Sequence, residues 1–312
     1  MAAGASVTDN INFECMKPLA IGIDLGGTNI KGVLIDSDGT ILNEVKQETN
    51  EQNEKQWKRA VADMIRDLSK KSGKKADAIG LAAPGLADTE NKCITFMPGR
   101  LPGLENFLWS EWIGQKVWVL NDAHAAMMAE ASFGAAKGTQ QAILLTLGTG
   151  VGGGILIAGQ LYQGVSQMAG HFGHTTVNSE TSKLDVTNMP GSIEEAIGNT
   201  TLAERSHGKY QSTEDLVRDY IKGEPFATWV WLSSVRKLAI CIASAINIIS
   251  PDAVILSGGM VQAKDALMKP LQRFLELYEW RPGGKQTPIR FAHFSDAAGA
   301  VGAAGFALSK PK

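Results

Sequence analysis

One pattern limits what this chain can fold into more than any other. An apolar run, a glycine turn, a second apolar run, a second turn and a third run occur in that order twice, about 120 residues apart. The first copy is Leu19-Ala20-Ile21-Gly22-Ile23 and Asp24, then Gly26-Gly27, Val33-Leu34-Ile35, the turn Asp38-Gly39 and Ile41-Leu42. The second is the run 142–147, then Gly148-Thr149-Gly150, Ile155-Leu156-Ile157, the turn Ala158-Gly159-Gln160 and Leu161-Tyr162. Short β-favouring runs punctuated by glycine read as a meander of three strands. Behind the first meander, Trp57, Ala60, Val61, Met64, Ile65 and Leu68 recur at helical spacing and predict a helix over 53–72. Strands are expected over 78–83 and 116–120, and a helix over 123–133. Behind the second meander the pattern predicts helices over 192–207, 213–222 and 226–249, a strand over 253–256, a helix near 262–278, a strand over 288–294 and a last helix from Asp296. Ser192 with Glu195 and Ser212 with Asp215 have the spacing of capping boxes. The expected fold is therefore α/β, with a βββαβα plan used twice and two such domains flanking a cleft whose floor holds the glycine hairpins.

Composition narrows the function classes. The chain has 312 residues, enough for about two domains, with 44% apolar and 20% charged residues. Its 30 basic and 32 acidic residues nearly cancel, so nothing electrostatic points to nucleic acid or to an anionic membrane. The apolar run 238–249 is shorter than a membrane span and is interrupted by Ser244 and Asn247. No secretory leader is visible in the first residues, and 1–17 read as a mobile tail. Three scattered cysteines, Cys15, Cys93 and Cys241, suit a reducing compartment, so a cytoplasmic location is expected. Glycine is in excess, 34 residues against a usual level of about 7%. Without a collagen period or a linker composition, that excess points to tight turns or to backbone that approaches a ligand.

The second turn, Gly148-x-Gly150-x-x-Gly153, matches the dinucleotide fingerprint in spacing only. That fingerprint opens a helix, whereas strand-forming residues and a hairpin follow here, which disfavours a nucleotide-binding dehydrogenase. No Walker sequence occurs. The alternative is a hairpin whose glycine turn presents backbone N–H groups to phosphate. Asp24-Leu25-Gly26-Gly27-Thr28-Asn29 suits the same task, with Lys31 adding charge. Asp24 beside phosphates would be repelled unless a cation lay between them, and a hydrated Mg²⁺ would relieve the repulsion. The plainer alternative is that both segments are simple turns.

Four segments, Asp24-Leu-Gly-Gly-Thr-Asn-Ile-Lys31, Leu120-Asn-Asp122-Ala, Leu147-Gly-Thr-Gly-Val-Gly-Gly-Gly154 and Ala169-Gly-His-Phe-Gly-His174, together resemble the ROK sugar kinases. The resemblance runs from about residue 18 to the C-terminus, in the family's motif order. It implies the actin-like ATPase (ribonuclease H-like) fold, with 18–122 plus 296–312 forming a small N-terminal domain and 123–295 a large C-terminal one. It implies ATP and Mg²⁺ as cofactors, a hexose as substrate and phosphoryl transfer to its hydroxyl, the 6-OH being expected. It also suggests a homodimer. Family repressors carry an N-terminal DNA-binding domain that sixteen residues cannot hold, so a regulator is disfavoured. A zinc-less relative can take polyphosphate in place of ATP, which keeps the donor open.

On this resemblance Asp122 is the base that accepts the hydroxyl proton. Asn121 would hold a sugar hydroxyl, although Asn-Asp here also suits a helix cap. Gly26, Gly27, Thr28, Asn29, Lys31, Gly148, Thr149 and Gly150 would meet the nucleotide, with Gly258 and Gly259 on the adenosine side unless they form only a turn. His171 stands where the family has a glutamate, so an acceptor-only carboxylate is replaced by a ring with one donor and one acceptor. That change raises the prospect of altered or weakened sugar binding, down to a sensor with little catalysis. His174 matches a histidine that binds zinc and touches the sugar. The accompanying cysteine places fall on Asp185, Thr187 and Ser192, with Asn188 replacing a glycine, and that set predicts no structural zinc. Glu194 would accept from sugar hydroxyls, or would only decorate a first helical turn.

Overall fold

The computed structural model describes residues 17–71, 73, 75–185 and 187–311. The tail expected over 1–17, Lys17 excepted, lies outside the described residues. The first meander is β1 (Leu19–Leu25), β2 (Asn29–Asp36) and β3 (Ile41–Glu48), followed by α1 (Glu54–Lys71). Then come β4 (Ala78–Ala83), a short hairpin of β5 (Leu86–Ala87) and β6 (Ile94–Phe96), α2 (Trp109–Ile113), β7 (Trp118–Asn121) and α3 (Asp122–Phe133). The second meander is β8 (Ala142–Leu147), β9 (Val151–Ile157) and β10 (Gln160–Tyr162). It leads to α4 (Ile193–Ile197), α5 (Leu202–Arg205), α6 (Thr213–Ile221), α7 (Pro225–Ile249), β11 (Ala253–Ser257), α8 (Asp265–Tyr278), β12 (Ile289–Phe291) and α9 (Ala298–Ser309).

The two sheets repeat one topology. Their strand orders are β3-β2-β1-β4-β7 and β10-β9-β8-β11-β12. In each, the meander is antiparallel and the strands beyond its first member run parallel to it. Parallel strands need crossovers, and helices supply them. This doubled arrangement is the actin-like ATPase plan expected from the sequence. The β5–β6 hairpin and α2 have no counterpart in the sequence reading, because runs of two or three residues carry no periodicity.

Between the sheets lie α9 and α3. Helix α9 covers β1 and β4, α3 covers β8 and β9, and the two helices cross. A Cβ on Gly22 of β1 would stand 1.8 Å from the Ala300 carbonyl oxygen, and one on Gly80 of β4 would stand 1.9 Å from that of Ala303. At the crossing, a Cβ on Gly302 would stand 1.7 Å from the Ala125 carbonyl oxygen. Part of the glycine excess therefore serves close approach of backbone to backbone rather than turns or ligand contact. On the outer face of the first sheet, Trp57, Val61, Ile65 and Leu68 of α1 bury against Ile21, Ile23 and Leu81. On the outer face of the second, α7 and α8 bury against β8 and β11.

Two expectations need correction. The helix expected over 192–207 is broken into α4, a short 3₁₀ turn and α5. At Gly198 (ψ 145°) the backbone leaves the helix, and the next two amides turn away. Asn199 N–H donates to Gly148 O at 3.0 Å and Thr200 N–H to Thr149 O at 3.1 Å, so tertiary bonds to the glycine turn replace helical ones. The apolar run judged too short for a membrane belongs to the 25-residue α7, which by length and composition alone could cross one. Its apolar face is buried by the protein itself, with Trp231, Val235, Leu238 and Ile242 in the core. Both capping serines act as expected: Ser192 Oγ accepts from Glu195 N–H at 3.2 Å and Ser212 Oγ from Asp215 N–H at 3.1 Å.

Gly302→Ala should destabilise the protein although alanine is the better helix former by about 1 kcal/mol. Forcing a methyl against the Ala125 carbonyl must separate α3 from α9, at about 1–3 kcal/mol or more. Urea unfolding should show a lower midpoint; an unchanged midpoint would mean the crossing yields freely.

Candidate active site

The site grows from strand ends. Asp24 lies near the end of β1, and the first turn follows it. Gly26 N–H donates to Asn29 O at 3.0 Å and closes the turn, while Thr49 pins it through Thr28 O and Gly26 O. The amides of Gly27 and Thr28 have no partner among the described residues. The second turn is closed by Gly148 N–H to Gly150 O at 3.0 Å, and the amides of Thr149 and Gly150 are likewise without a partner. Two turns with outward-facing, unsatisfied N–H groups form cradles for an anion. Gly258 closes over the second, where a Cβ would stand 2.4 Å from the Leu147 carbonyl oxygen, and Gly259 opens the 3₁₀ turn Gly259–Ala263. Lys31 does not point its charge at an open cradle. Its ammonium is held by the Asp296 carboxylate at 2.8 Å and the Asp296 carbonyl at 2.9 Å, at the entry to α9.

Asp122 opens α3 directly after β7. Its Oδ1 accepts from the Ala123 amide at 2.8 Å, and its side chain opens to solvent. Protein surrounds it closely enough that lost hydration raises its carboxyl above the ordinary value, against the Ala123 amide and the charge of Arg100. Asn121, by contrast, is buried and occupied. Its Oδ1 caps α3 through Ala123 N–H (2.9 Å) and His124 N–H (3.2 Å), and its Nδ2 donates to Gly85 O at 2.9 Å. The capping alternative thus describes Asn121 Oδ1, and one N–H of its amide remains for a ligand.

Asp24 is also strongly shifted. Burial first, then the Asp122 carboxylate, push its carboxyl up to about 7, with Lys31 opposing. It rests against the start of α9, where a Cβ on Gly299 would stand 2.6 Å from the carboxyl. Two carboxylates that resist shared ionisation, beside two amide cradles, suit a divalent cation carried in with a phosphate ligand.

The histidines gather on the far side. His124 is fully buried, and since a carbonyl only accepts, its Nε2–H donates to Ala169 O at 2.7 Å. His171 packs edge-on against it at 5.3 Å between ring centres and stacks with His174 at 6.4 Å. Burial, helped by the neighbouring His124 and His174, brings the His171 ring down to about 4, so it is neutral at physiological pH. Its Nε2 is buried and has no hydrogen-bond partner among the described residues. His174 Nδ1 lies 3.1 Å from Thr187 Oγ1 and 3.6 Å from Asp185 Oδ2. Burial works against the Asp185 charge, but the Met189 amide, the Ser192 hydroxyl and Thr187 bring that carboxyl down to about 2. The residues at the three expected cysteine places thus join His174 in one hydrogen-bonded network. Among the described residues no three His, Cys, Asp or Glu side chains converge as metal ligands. Glu194 sits at the second turn, where its Oε2 accepts from Val151 N–H at 2.9 Å and where a Cβ on Gly150 would stand 2.2 Å away.

The sequence reading missed His124 and Arg100. His124 follows Asn121-Asp122 closely, but a histidine on an apolar helix signals nothing without the loop it anchors. Arg100 lies between glycines and prolines in a segment without periodicity.

With this geometry in view, the ROK family profile matches residues 20–310. The chain belongs to the ROK family. The glucokinase of Thermotoga maritima is 31% identical over 275 residues, which cover 81% of this chain and 85% of that protein. The glucokinase of Halalkalibacterium halodurans is 30% identical over 90% of this chain and 92% of its own length. Among solved structures, the ROK hexokinase of Thermus thermophilus superposes with a TM-score of 0.81 at 29% identity, covering 93% of this chain and 98% of that one. The ROK glucokinase of Streptomyces griseus, solved with glucose and AMPPNP, gives 0.78 at 26% identity over 94% and 100%.

The Asp24 carboxyl yields a signed prediction. In the unfolded chain it ionises near pH 4, whereas in the fold it holds its proton to about pH 7. Over that window the native state binds more protons, so stability falls as pH rises. Asp24→Asn should remove this loss. Its Tm should exceed the wild-type value at pH 8 by about 2–4 °C, with the gap shrinking towards pH 5. A gap that stays constant across this range would place the elevated carboxyl elsewhere.

Proposed function

We infer that the protein is an ATP-dependent hexose kinase, and we propose that its acceptor is the 6-OH of a glucose-like sugar. The observation that carries the residue assignments is the state of Asp122. One carboxylate oxygen is held by the amide at the head of α3, and the residue is exposed to solvent. A carboxylate fixed in this way can take a proton without losing its orientation.

In the proposed reaction the sugar hydroxyl gives its proton to Asp122 as its oxygen attacks the γ-phosphorus in line. The bond from phosphorus to the bridging oxygen breaks, and its electron pair stays on ADP. The unpartnered amides of Gly27, Thr28, Thr149 and Gly150 would hold the donor's phosphates, with Gly258 and Gly259 on the adenosine side. Asp24 would hold Mg²⁺, directly or through water, and the ion would supply charge neutralisation for the phosphates. Lys31, bound to Asp296, would act on the phosphates only at a distance, by stabilising the ionised form of Asp24. On the sugar side, neutral His171 would offer Nε2 to a hydroxyl, and His174 and the remaining N–H of Asn121 would complete the set. Glu194 orders the second turn through Val151, so its contact with sugar would be through its other oxygen. A cytoplasmic location and a homodimer remain proposals of the same reading.

Product formation with ATP and Mg²⁺ across glucose, mannose, fructose and N-acetylglucosamine tests the activity. Asp122→Asn should fold normally and lose about 10³-fold or more in kcat, within the range for a positioned base. Turnover near wild type would reject Asp122 as the base. Failure with every sugar would favour the sensing alternative, and product with polyphosphate alone would reassign the donor. His171→Glu, which restores an acceptor-only group, should change the relative kcat/KM values across the panel. Unaltered ratios would place His171 outside the sugar site.

A further inference from the structure

Arg100 lies in the segment between β6 and α2, and no motif in the sequence points to it. Its guanidinium nevertheless occupies the space above the first glycine turn: a Cβ on Gly27 would stand 1.8 Å from its Nη2. Its Nε donates to Glu51 Oε1 at 2.7 Å, and Glu51, the more buried partner, holds the side chain over the turn. Its charge also reaches Asp122, where it opposes the upward pull of burial. Among the described residues its Nη groups have no hydrogen-bond partner. Lys31, the cation within the first motif, is committed to Asp296. A forked cation, paired with Glu51 through Nε and with its Nη groups unpaired among the described residues, thus stands over the first glycine turn within electrostatic reach of the residue read as the base.

Phosphoryl transfer spreads negative charge over the three equatorial oxygens of the group in flight, and a planar guanidinium matches two of them at once. We propose that Arg100 is a catalytic residue, whose guanidinium meets the transferring phosphoryl group between Gly27 and Asp122. The proposal rests on the reading of Asp122 and of the glycine turns given above. Arg100 makes and breaks no covalent bond: the hydroxyl proton goes to Asp122, the sugar oxygen gains phosphorus, and the electron pair of the broken bond leaves with ADP. Glu51 acts as a positioning residue that orients the fork before substrate arrives.

The test compares Arg100→Ala, Arg100→Lys and Asp122→Asn in the full chain, each checked for an unchanged Tm, with the sugar and donor that wild type uses best. Arg100→Ala should lower kcat by about 10²-fold or more with a sugar KM within about threefold of wild type. Arg100→Lys should recover part of that loss, since it restores charge but not the fork. Millimolar guanidinium chloride, far below denaturing levels, should raise the turnover of Arg100→Ala and leave that of Asp122→Asn unchanged. Removing the cation should also move the acid limb of the kcat profile to higher pH, because Asp122 loses a charge that favours its ionised form. Three results would each overturn the assignment to Arg100: kcat of Arg100→Ala close to wild type, a loss confined to sugar KM, or a kcat loss with neither guanidinium rescue nor a pH shift. An active Asp122→Asn would instead overturn the reading of the base, so the two failures are distinguishable.

Discussion

The architecture depends on two helices that touch through bare backbone. Helix α9 lies against β1 and β4 where Gly22 and Gly80 carry no side chain, and it crosses α3 where Gly302 carries none. Side chains at those three positions would hold the layers apart by several ångströms, since interiors pack too densely to absorb a methyl group. Close crossing brings the end of β1 and the start of α3 towards one another. Asp24 sits on the first and Asp122 on the second, close enough for the Asp122 charge to raise the Asp24 carboxyl. Packing and electrostatics at the site are therefore one problem. The glycines that let the helices approach also bring together two carboxylates that would separate if free.

Charge balance around that pair is organised in layers. Lys31 opposes the elevation of Asp24 but spends its hydrogen bonds on Asp296 at the entry to α9. Arg100 opposes the elevation of Asp122 and pairs with Glu51 through Nε, which leaves its Nη groups without a hydrogen-bond partner among the described residues. Burial raises both carboxyls more than these cations lower them, which leaves a site deficient in positive charge. A divalent ion entering with a phosphorylated donor would correct that deficit.

The histidine cluster is held by hydrogen bonds from several segments. His174 is tied to Thr187 and faces Asp185, while Ser192 both supports Asp185 and caps α4. Hydroxyls and a carboxylate thus tie His174 to the start of α4 by hydrogen bonds. His171, in the glutamate place, is kept neutral by burial and by two neighbouring rings, one of which, His124, is anchored through Ala169 O.

The meanders, the long helices, the capping serines, Asp122 and both glycine turns were legible in the sequence, because periodicity and turn chemistry are local properties. Family motifs added the expected fold. The break at Gly198 was not legible: it exists because Asn199 and Thr200 bond to a turn that lies about 50 residues away in the chain. Nor was the tie of Asn121 to Gly85, the capture of Lys31 by Asp296, or the place of Arg100, whereas the cap at Asn121 was among the readings the sequence offered. The sequence by itself determined which segments become strands, helices and glycine turns. Only the tertiary structure decided which charges face one another, because ionisation and hydrogen bonding at the site depend on groups brought together from distant parts of the chain.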